Sequence, residues 1–245
     1  REGYKLISGD YSGQELGIIA SGSKDPVWMK AREEEADLHS ICADMVFKEK
    51  WRNADADEKK KLRTAIKTIN FGLAYGMSKF KLSDTLQISV DDAEALINQY
   101  FSEFPKIGGF LNSLGNYGTQ HGFIRTFKPF RRIRWFENWH NGMSPRKDFK
   151  EFGAIERASK NTPIQGTGAD MIKLAMIMIR DKIKTLDYPA YLVTQVHDEI
   201  GVEVREDKAE EWAEIQSELM RQAGAVIIPD FPMGVDYTIS KEWCK

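Results

Sequence analysis

The sequence is poor in cysteine and has no long apolar run. Its two cysteines, Cys42 and Cys244, lie far apart and outside any Cys/His cluster with zinc-site spacing, which argues against a disulfide scaffold and a zinc domain. Two reduced thiols are typical of a cytosolic protein. The longest strongly apolar run, residues 171–179, includes a lysine and is far shorter than the roughly 20 residues that cross a bilayer. We therefore expect a globular cytoplasmic protein without a membrane segment.

Charge is nearly balanced over the whole chain but not along it. The 35 basic and 37 acidic residues give a net charge of −2, which by itself argues weakly against a nucleic-acid partner. Residues 125–150, however, carry eight basic side chains against two acidic ones, with six Phe and Trp residues among them. Such interleaving suits phosphates and stacked bases, and a solvated charged loop is the equal alternative.

Apolar periodicity predicts a mixture of helices and short strands. A strand over residues 5–8 is expected to deliver Asp10 at its carboxyl end. Two strands, 191–196 and 199–204, are separated only by His197 and Asp198, as in a tight hairpin. Residues 128–150 are predicted to be irregular. Helices are predicted at 15–20, 37–50, 57–75, 90–104, 110–120, 169–186 and 207–223, and a last strand at 233–239.

Carboxylates are predicted at two places where buried strands end. Asp10 follows the first strand, and Asp198 and Glu199 lie at the hairpin tip. A single aspartate in such a place is usually a turn residue or a helix cap. Buried strands that end in adjacent carboxylates nevertheless need a positive partner, and Mg²⁺ takes such oxygen ligands. The pattern therefore makes these residues candidate metal ligands.

One predicted helix carries two cations and two aromatic rings on a single face. Arg63, Lys67, Phe71 and Tyr75 are spaced by four, and residues four apart share a helical face. The cations could hold the phosphates of a nucleoside triphosphate while the rings pack on its sugar and base. The alternative is a structural helix with a buried aromatic end and snorkelling cations.

These segments, in this order, resemble motifs of the family A DNA polymerases of the bacterial polymerase I type. Residues 10–16 resemble motif A, residues 63–76 motif B and residues 195–199 motif C. Residues 37–40 resemble the short Asp-x-His segment of the family, and residues 161–170 resemble its stretch before the long palm helix. The resemblance extends from Lys5 nearly to the last residue.

The resemblance implies an α+β fold with polymerase right-hand architecture, an antiparallel palm sheet and helical fingers. Residues 1–36 would be palm, residues 37–125 fingers with the motif B helix at 57–76, and residues 126–245 palm again. The thumb would be absent. Since the chain starts nine residues before Asp10, without Met or signal-peptide features, we expect a preceding polymerase portion in the same or a separate chain.

The resemblance also implies residue roles. Two Mg²⁺ ions, replaceable by Mn²⁺, would be held by Asp10, Asp198 and the Tyr11 carbonyl, with Glu199 nearby as a further catalytic residue. Lys67 would be the general acid. Nucleotide contacts would come from Arg63, Lys67, Phe71, Tyr75, His39, Glu15 and Gln14, with Glu15 and Tyr75 forming a steric gate against a 2′-hydroxyl. Primer-template DNA would contact Arg157, Asn161, Gln165, His197, Arg131 and Arg132.

The chain departs from the family pattern at three places. Gly17 stands where an arginine is usual, and Gly13 where a glutamine is usual, so the grip on substrate is expected to differ. Residues 127–132 replace a short Gly-Arg-Arg turn, so the DNA contacts implied for Arg131 and Arg132 fall in a segment that departs from the family pattern.

The reaction implied is template-directed transfer of deoxynucleotidyl groups from dNTPs to a primer 3′-hydroxyl. A single-subunit RNA polymerase is an alternative, and Glu15 argues against it. A non-catalytic DNA-binding subunit is another, and the intact Asp10, Lys67 and Asp198 argue against that. The expected location is the cytoplasm of a bacterium or of a phage-infected host, with an organelle as the alternative.

Overall fold

The computed structural model of the chain describes residues 1–74 and 76–243. The strands are β1 (Tyr4–Ser12), β2 (Phe123–Arg125), β3 (Ile133–Trp135), β4 (Ala190–Val196), β5 (Glu199–Arg205) and β6 (Gly234–Ser240). The helices are α1 (Gln14–Ser23), α2 (Pro26–Glu33), α3 (Leu38–Phe47), α4 (Glu49–Asn53), α5 (Ala56–Ala74), α6 (Lys79–Leu86), α7 (Val90–Glu103), α8 (Pro105–His121), α9 (Phe149–Leu186) and α10 (Ala209–Ile227). The α+β class is thereby confirmed.

The chain forms two compact units. The first comprises residues 1–18, 127–131 and 165–245, and the second comprises residues 19–126 and 132–164. The boundaries between these units differ from the palm and fingers boundaries at residues 36 and 126, which stay a prediction. The difference arises because α2 packs against α3 and because β2 pairs with β3 and packs on α8. No helix formed by the described residues is long and apolar enough to cross a membrane.

The first unit is built on an antiparallel sheet with the strand order β4-β5-β1-β6. Ile7 of β1 and Ile200 and Val202 of β5 are fully buried, and α10 packs against β1 and β6. Gly9 of β1 permits this contact, since a Cβ there would lie 2.9 Å from the side chains of Gln216 and Met220. The central strand is therefore held on both edges and pressed against a helix.

The first strand is longer than predicted. The expected strand ended at Ser8, whereas β1 continues to Ser12, so Asp10 lies within the strand between Glu199 of β5 and Asp236 of β6. The prediction that Asp10 leaves the strand was wrong. Burial continues to alternate after the apolar run ends, with Gly9 and Tyr11 buried and Asp10 and Ser12 exposed, as the period of a strand requires.

Apart from the paired strands β2 and β3, the second unit is helical, with its core between α3, α5, α7 and α8. Leu62, Ile66 and Ile69 of α5 recur at three and four and are buried, which explains why this helix forms as predicted. Its predicted last residue, Tyr75, lies outside the described residues.

Helix α9 begins 20 residues earlier than predicted, at Phe149 instead of residue 169, and it contains Pro163. Residues 128–150 were predicted to be irregular, yet they include β3, which pairs with β2. Inside the second unit, α8 and α9 approach closely at Gly118, where a Cβ would overlap the Oγ atom of Ser159. A polar, proline-containing segment is thus helical because a neighbouring helix packs tightly on it.

Candidate active site

Of the two aspartates singled out in the sequence, Asp10 lies in β1 and Asp198 lies in the turn that leads into the adjacent strand β5. The Tyr11 amide donates a hydrogen bond to the Asp198 carbonyl at 3.3 Å, and Asp10 is opposite Glu199 in the ladder. Asp10 is exposed and Asp198 is partly exposed. This hydrogen bond joins the β1 backbone beside Asp10 to the β4–β5 turn. The structure therefore brings both carboxyl-bearing residues to the same end of the sheet.

The turn at the hairpin tip has a backbone shape that is uncommon for its residues. His197 has a φ of 55°, in the left-handed region, and the Gln195 side-chain amide donates to its carbonyl at 2.7 Å. The His197 side chain is exposed. The turn therefore presents His197 to solvent beside Asp198.

Glu199 differs from the two aspartates because it is only 6% exposed. Its Oε1 atom accepts hydrogen bonds from the Ser8 hydroxyl and from the Trp243 indole nitrogen, the latter at 2.8 Å. Glu199 thus ties β5 to β1 and to the segment after β6. Sequence reasoning missed Trp243, since its partner lies 44 positions away and no local pattern marks the contact.

The oxygen donors at this end of the sheet suit a hard divalent cation. Among residues 1–74 and 76–243, no group of three or more His, Cys, Asp or Glu side chains is arranged to hold a metal by itself. Mg²⁺ does not require such a group, because it is usually bound by one or two carboxylates together with substrate phosphate and water. The accessible Asp10 and Asp198 carboxylates and the Tyr11 carbonyl are oxygen donors of this kind.

In the second unit, Arg63 of α5 is paired with Asp37. The guanidinium donates from Nε and Nη2 to the two carboxylate oxygens of Asp37, at 2.6 and 3.0 Å. Asp37 also caps α3 by accepting from the His39 amide at 3.3 Å, and it accepts from the Ser40 hydroxyl. The Arg63 hydrogen bonds are the largest cause that holds the pKa of Asp37 below its usual range. The cation predicted to bind phosphate therefore has a carboxylate partner within the fold.

His39 lies beside Arg63 and Phe71. Its ring centroid is 5.9 Å from that of Phe71, and its Nδ1 atom is 2.9 Å from the Asn70 side-chain nitrogen. Burial, followed by the nearby Arg63 charge, lowers the pKa of His39. Lys67, one turn from both Arg63 and Phe71, is exposed. Of the predicted nucleotide-binding side chains, the structure thus brings Arg63, Lys67, Phe71 and His39 together.

The start of α1 carries the other predicted nucleotide contacts. Glu15 is partly exposed, and Tyr75, its partner in the predicted gate, lies outside the described residues. Gln14 is only 7% exposed, and its amide donates to the Gly168 carbonyl at 3.4 Å. The Gln14 side chain is thus buried against α9, and its contact with a nucleotide stays a prediction.

The two glycine departures have structural reasons. Gly13 has a φ of 68° in the turn from β1 to α1, a conformation that glycine adopts at low cost and glutamine does not. Gly17 is buried, and a Cβ there would lie 2.8 Å from atoms of Phe231 and Met233. Since these side chains fill the space at Gly17, packing of the first unit accounts for the missing arginine.

The predicted DNA contacts fall into two sets. Arg157, Asn161 and Gln165 are spaced by four along α9, with Arg157 and Gln165 exposed and Asn161 partly exposed. Arg131 and Arg132 are both exposed, and the backbone amide of Arg132 donates to the Thr126 hydroxyl at 2.9 Å. Every one of these cationic side chains therefore reaches solvent.

Comparison with known proteins identifies relatives over the whole chain. The model of DNA polymerase family A matches residues 1–245. A thermostable DNA polymerase I from Thermus filiformis is 35% identical over 244 residues, which are 100% of this chain and 27% of the relative. DNA polymerase I from Deinococcus radiodurans is 34% identical over 242 residues, 99% of this chain and 24% of the relative. The chain thus spans about a quarter of the length of these relatives.

A solved structure is similar to the whole fold. It is described as the POL domain of Pol1 from M. smegmatis in complex with DNA primer-template and dNTP. The two structures superpose with a TM-score of 0.86 at 31% sequence identity, over 99% of this chain and 41% of the other.

Proposed function

The chain belongs to DNA polymerase family A, and from this premise we propose that it is the catalytic portion of a template-directed DNA polymerase. It would extend a primer 3′-hydroxyl with dNTPs. The single observation that supports this most directly is the hydrogen bond from Tyr11 to Asp198, which brings Asp10 and Asp198 to the same end of the sheet. The proposed palm is residues 1–36 and 126–245, and the proposed fingers are residues 37–125.

Two Mg²⁺ ions, when bound, would activate the primer hydroxyl and neutralise charge on the phosphates. Asp10, Asp198 and the Tyr11 carbonyl would hold them. The primer 3′-hydroxyl loses its proton to water, its oxygen forms a bond to the α-phosphorus, and the bond from that phosphorus to the bridging oxygen of the β-phosphate breaks. Lys67 gives a proton to the leaving pyrophosphate. Arg63 and His39 orient the triphosphate through charge-assisted hydrogen bonds.

Glu199 has a positioning role in this proposal. Its burial and its bonds to Ser8 and Trp243 support a part in fixing the hairpin that carries Asp198. Arg157, Asn161, Gln165 and His197 would contact the primer-template, with Arg131 and Arg132 as further phosphate contacts. We also propose that the active polymerase includes a further portion, which corresponds to part of the length that the relatives have beyond this chain. We propose that the polymerase acts in the cytoplasm.

The metal-ligand assignment is tested by Asp198→Asn, which preserves shape and removes charge. Loss of a ligand that stabilises transition-state charge should cost about 4 kcal/mol, or on the order of a thousandfold in extension rate. Primer-template affinity should hardly change, because no phosphate contact is lost. Asp187→Asn, at an exposed position of the same unit, is the control. An Asp198→Asn protein with undiminished extension would exclude the assignment.

A comparison of extension with dNTPs and with ribonucleotides distinguishes this function from the RNA polymerase alternative. The native protein is offered dNTPs or NTPs on the same primer-template with Mg²⁺. Preference for dNTPs supports the proposal, whereas preference for NTPs supports the alternative. Binding without extension of either would identify a non-catalytic DNA-binding subunit.

A further inference from the structure

Three side chains of the second unit form a hydrogen-bonded chain that ends at His39. The Tyr100 hydroxyl donates to Asn70 Oδ1 at 2.8 Å, and Asn70 Nδ2 is 2.9 Å from His39 Nδ1. Tyr100 is 1% exposed and Asn70 is 2% exposed. Because water does not reach the Asn70 amide, its oxygen and nitrogen must be satisfied by buried neighbours, which are these two side chains and Cys42.

The hydrogen bonds that link these three side chains have a fixed direction, from Tyr100 through Asn70 to His39. The buried phenol of Tyr100 has a raised pKa and keeps its proton, so the Asn70 oxygen accepts from it. The other end of the amide is an NH₂ group, which can only donate. Its partner, His39 Nδ1, must therefore accept with a lone pair, and the single ring proton of neutral His39 must lie on Nε2.

We infer that Tyr100 and Asn70 act as positioning residues that hold His39 in its Nε2–H tautomer, so that it donates to an anionic phosphate oxygen of the nucleotide. This inference rests on the proposed function. Nε2 lies across the ring from Nδ1, on the side away from Asn70. The opposite tautomer would present a lone pair there, and a lone pair repels phosphate oxygen.

The charges around His39 favour the same neutral form. Arg63 and Lys67 of α5 oppose its protonation, whereas Asp37 at the start of α3 favours it; the net effect, with burial as the largest cause, is a lowered pKa. Protonation would also turn an Nδ1–H toward the Asn70 NH₂ group, setting donor against donor. His39 is thus a hydrogen-bond donor whose proton location does not change as pH rises through neutrality.

The decisive variant is Asn70→Asp, which has the shape of asparagine but offers only acceptor atoms. A carboxylate opposite Nδ1 favours Nδ1–H and leaves Nε2 as an acceptor in the neutral ring. It also favours the doubly protonated ring at low pH. We expect the KM for dTTP to be close to wild type at pH 6 and to rise about tenfold or more by pH 9, with a smaller change in kcat. Wild type should lack this rise.

The matched control is Asn112→Asp, which makes the same chemical change at an exposed position of α8. Its KM profile should follow wild type. Tyr100→Phe removes only the hydroxyl that orients the Asn70 amide, so it should give a smaller rise in KM. Equal KM profiles for Asn70→Asp and Asn112→Asp would overturn the inference.

A measurement without substrate tests the tautomer directly. The chain has four histidines, so ¹⁵N-histidine labelling of the native protein gives few signals, and His39→Gln assigns one of them. We expect a protonated Nε2 and an unprotonated Nδ1 in wild type; the reverse would overturn the inference even if Asn70→Asp fails to fold. Lack of extension by wild type would instead refute the proposed function and leave the tautomer result standing.

Discussion

At the residue scale, the Arg63–Asp37 pair shows how a predicted ligand contact is prepared by the fold. Asp37 binds Arg63 through both oxygens while it caps the helix that carries His39. Each side chain is 42% exposed, so solvent screens the pair and its contribution to stability is small. The main effect of the pair is on the orientation of the Arg63 side chain, because a bidentate pair fixes the plane of the guanidinium.

The lowered pKa of Asp37 makes a pH-dependent prediction. A carboxyl whose pKa is lower in the folded state stabilises the fold above its unfolded pKa of about 4 and loses that effect as pH falls further. Asp37→Asn keeps a helix cap but removes the charge. We expect it to cost less than about 1 kcal/mol at pH 7 and progressively less from pH 5 to pH 3.

Urea denaturation across that pH range measures the difference between Asp37→Asn and wild type. Asp84→Asn, at an exposed position of α6, is the control for a general charge effect. A difference that grows as pH falls would contradict the assignment of the pKa shift to Arg63.

At the element scale, the approach of α8 to α9 depends on a single missing side chain. Gly118→Ala would press a methyl group onto Ser159, and overpacking of this kind costs about 1 to 3 kcal/mol. Gly109→Ala, in the same helix, has nothing within 4 Å and should stabilise by about 0.5 to 1 kcal/mol, because alanine is the better helix former.

The two alanine variants should therefore shift the urea midpoint in opposite directions. The comparison cancels the shared change in helix propensity and leaves the packing effect. If both variants were more stable than wild type, α8 and α9 would not pack as closely at Gly118 as the structure indicates.

The sequence predicted those elements whose pattern is local. Helix α5 has a clear apolar period, and the β4–β5 hairpin has two β-rich runs around His197 and Asp198, so both were found within one or two residues. The first half of α9 was missed, since Gly153 and Pro163 weaken the local signal and packing on α8 decides the outcome.

The candidate site follows the same rule. Asp10, Asp198 and the α5 stripe could be chosen from the sequence, because charge and spacing mark them locally. Asn70 and Tyr100 could not, since their contact joins residues 30 positions apart inside a core. Local pattern therefore identified the groups that face solvent, and tertiary contacts determined which side chains orient them.

At the scale of the whole molecule, the edge strand β4 is the feature most prone to unwanted association. Among the residues that the structure describes, β4 pairs only with β5, and Tyr191, Leu192 and Val193 are 47%, 40% and 53% exposed. An exposed apolar edge is a template for strand addition, and a net charge of −2 gives little repulsion between molecules.

Val193→Lys should reduce self-association of the 245-residue chain, because a lysine on an edge strand opposes edge-to-edge pairing. Light scattering over a concentration series measures the effect. Val226→Lys makes the same change in charge at a residue of α10 that is 54% exposed, away from the sheet edge. Equal improvement by both variants would point to net charge alone and not to the edge.

The central place of β1 has a consequence for how the chain folds during synthesis. The strand ends at Ser12, whereas its neighbours β5 and β6 begin at Glu199 and Gly234. At a translation rate of about 5 to 20 residues per second, β5 is made about 10 to 40 s after β1. Closing so long a loop before any sheet contact forms is slow. Strand β1 thus leaves the ribosome well before its partners are made, and for that interval it must be kept from pairing elsewhere.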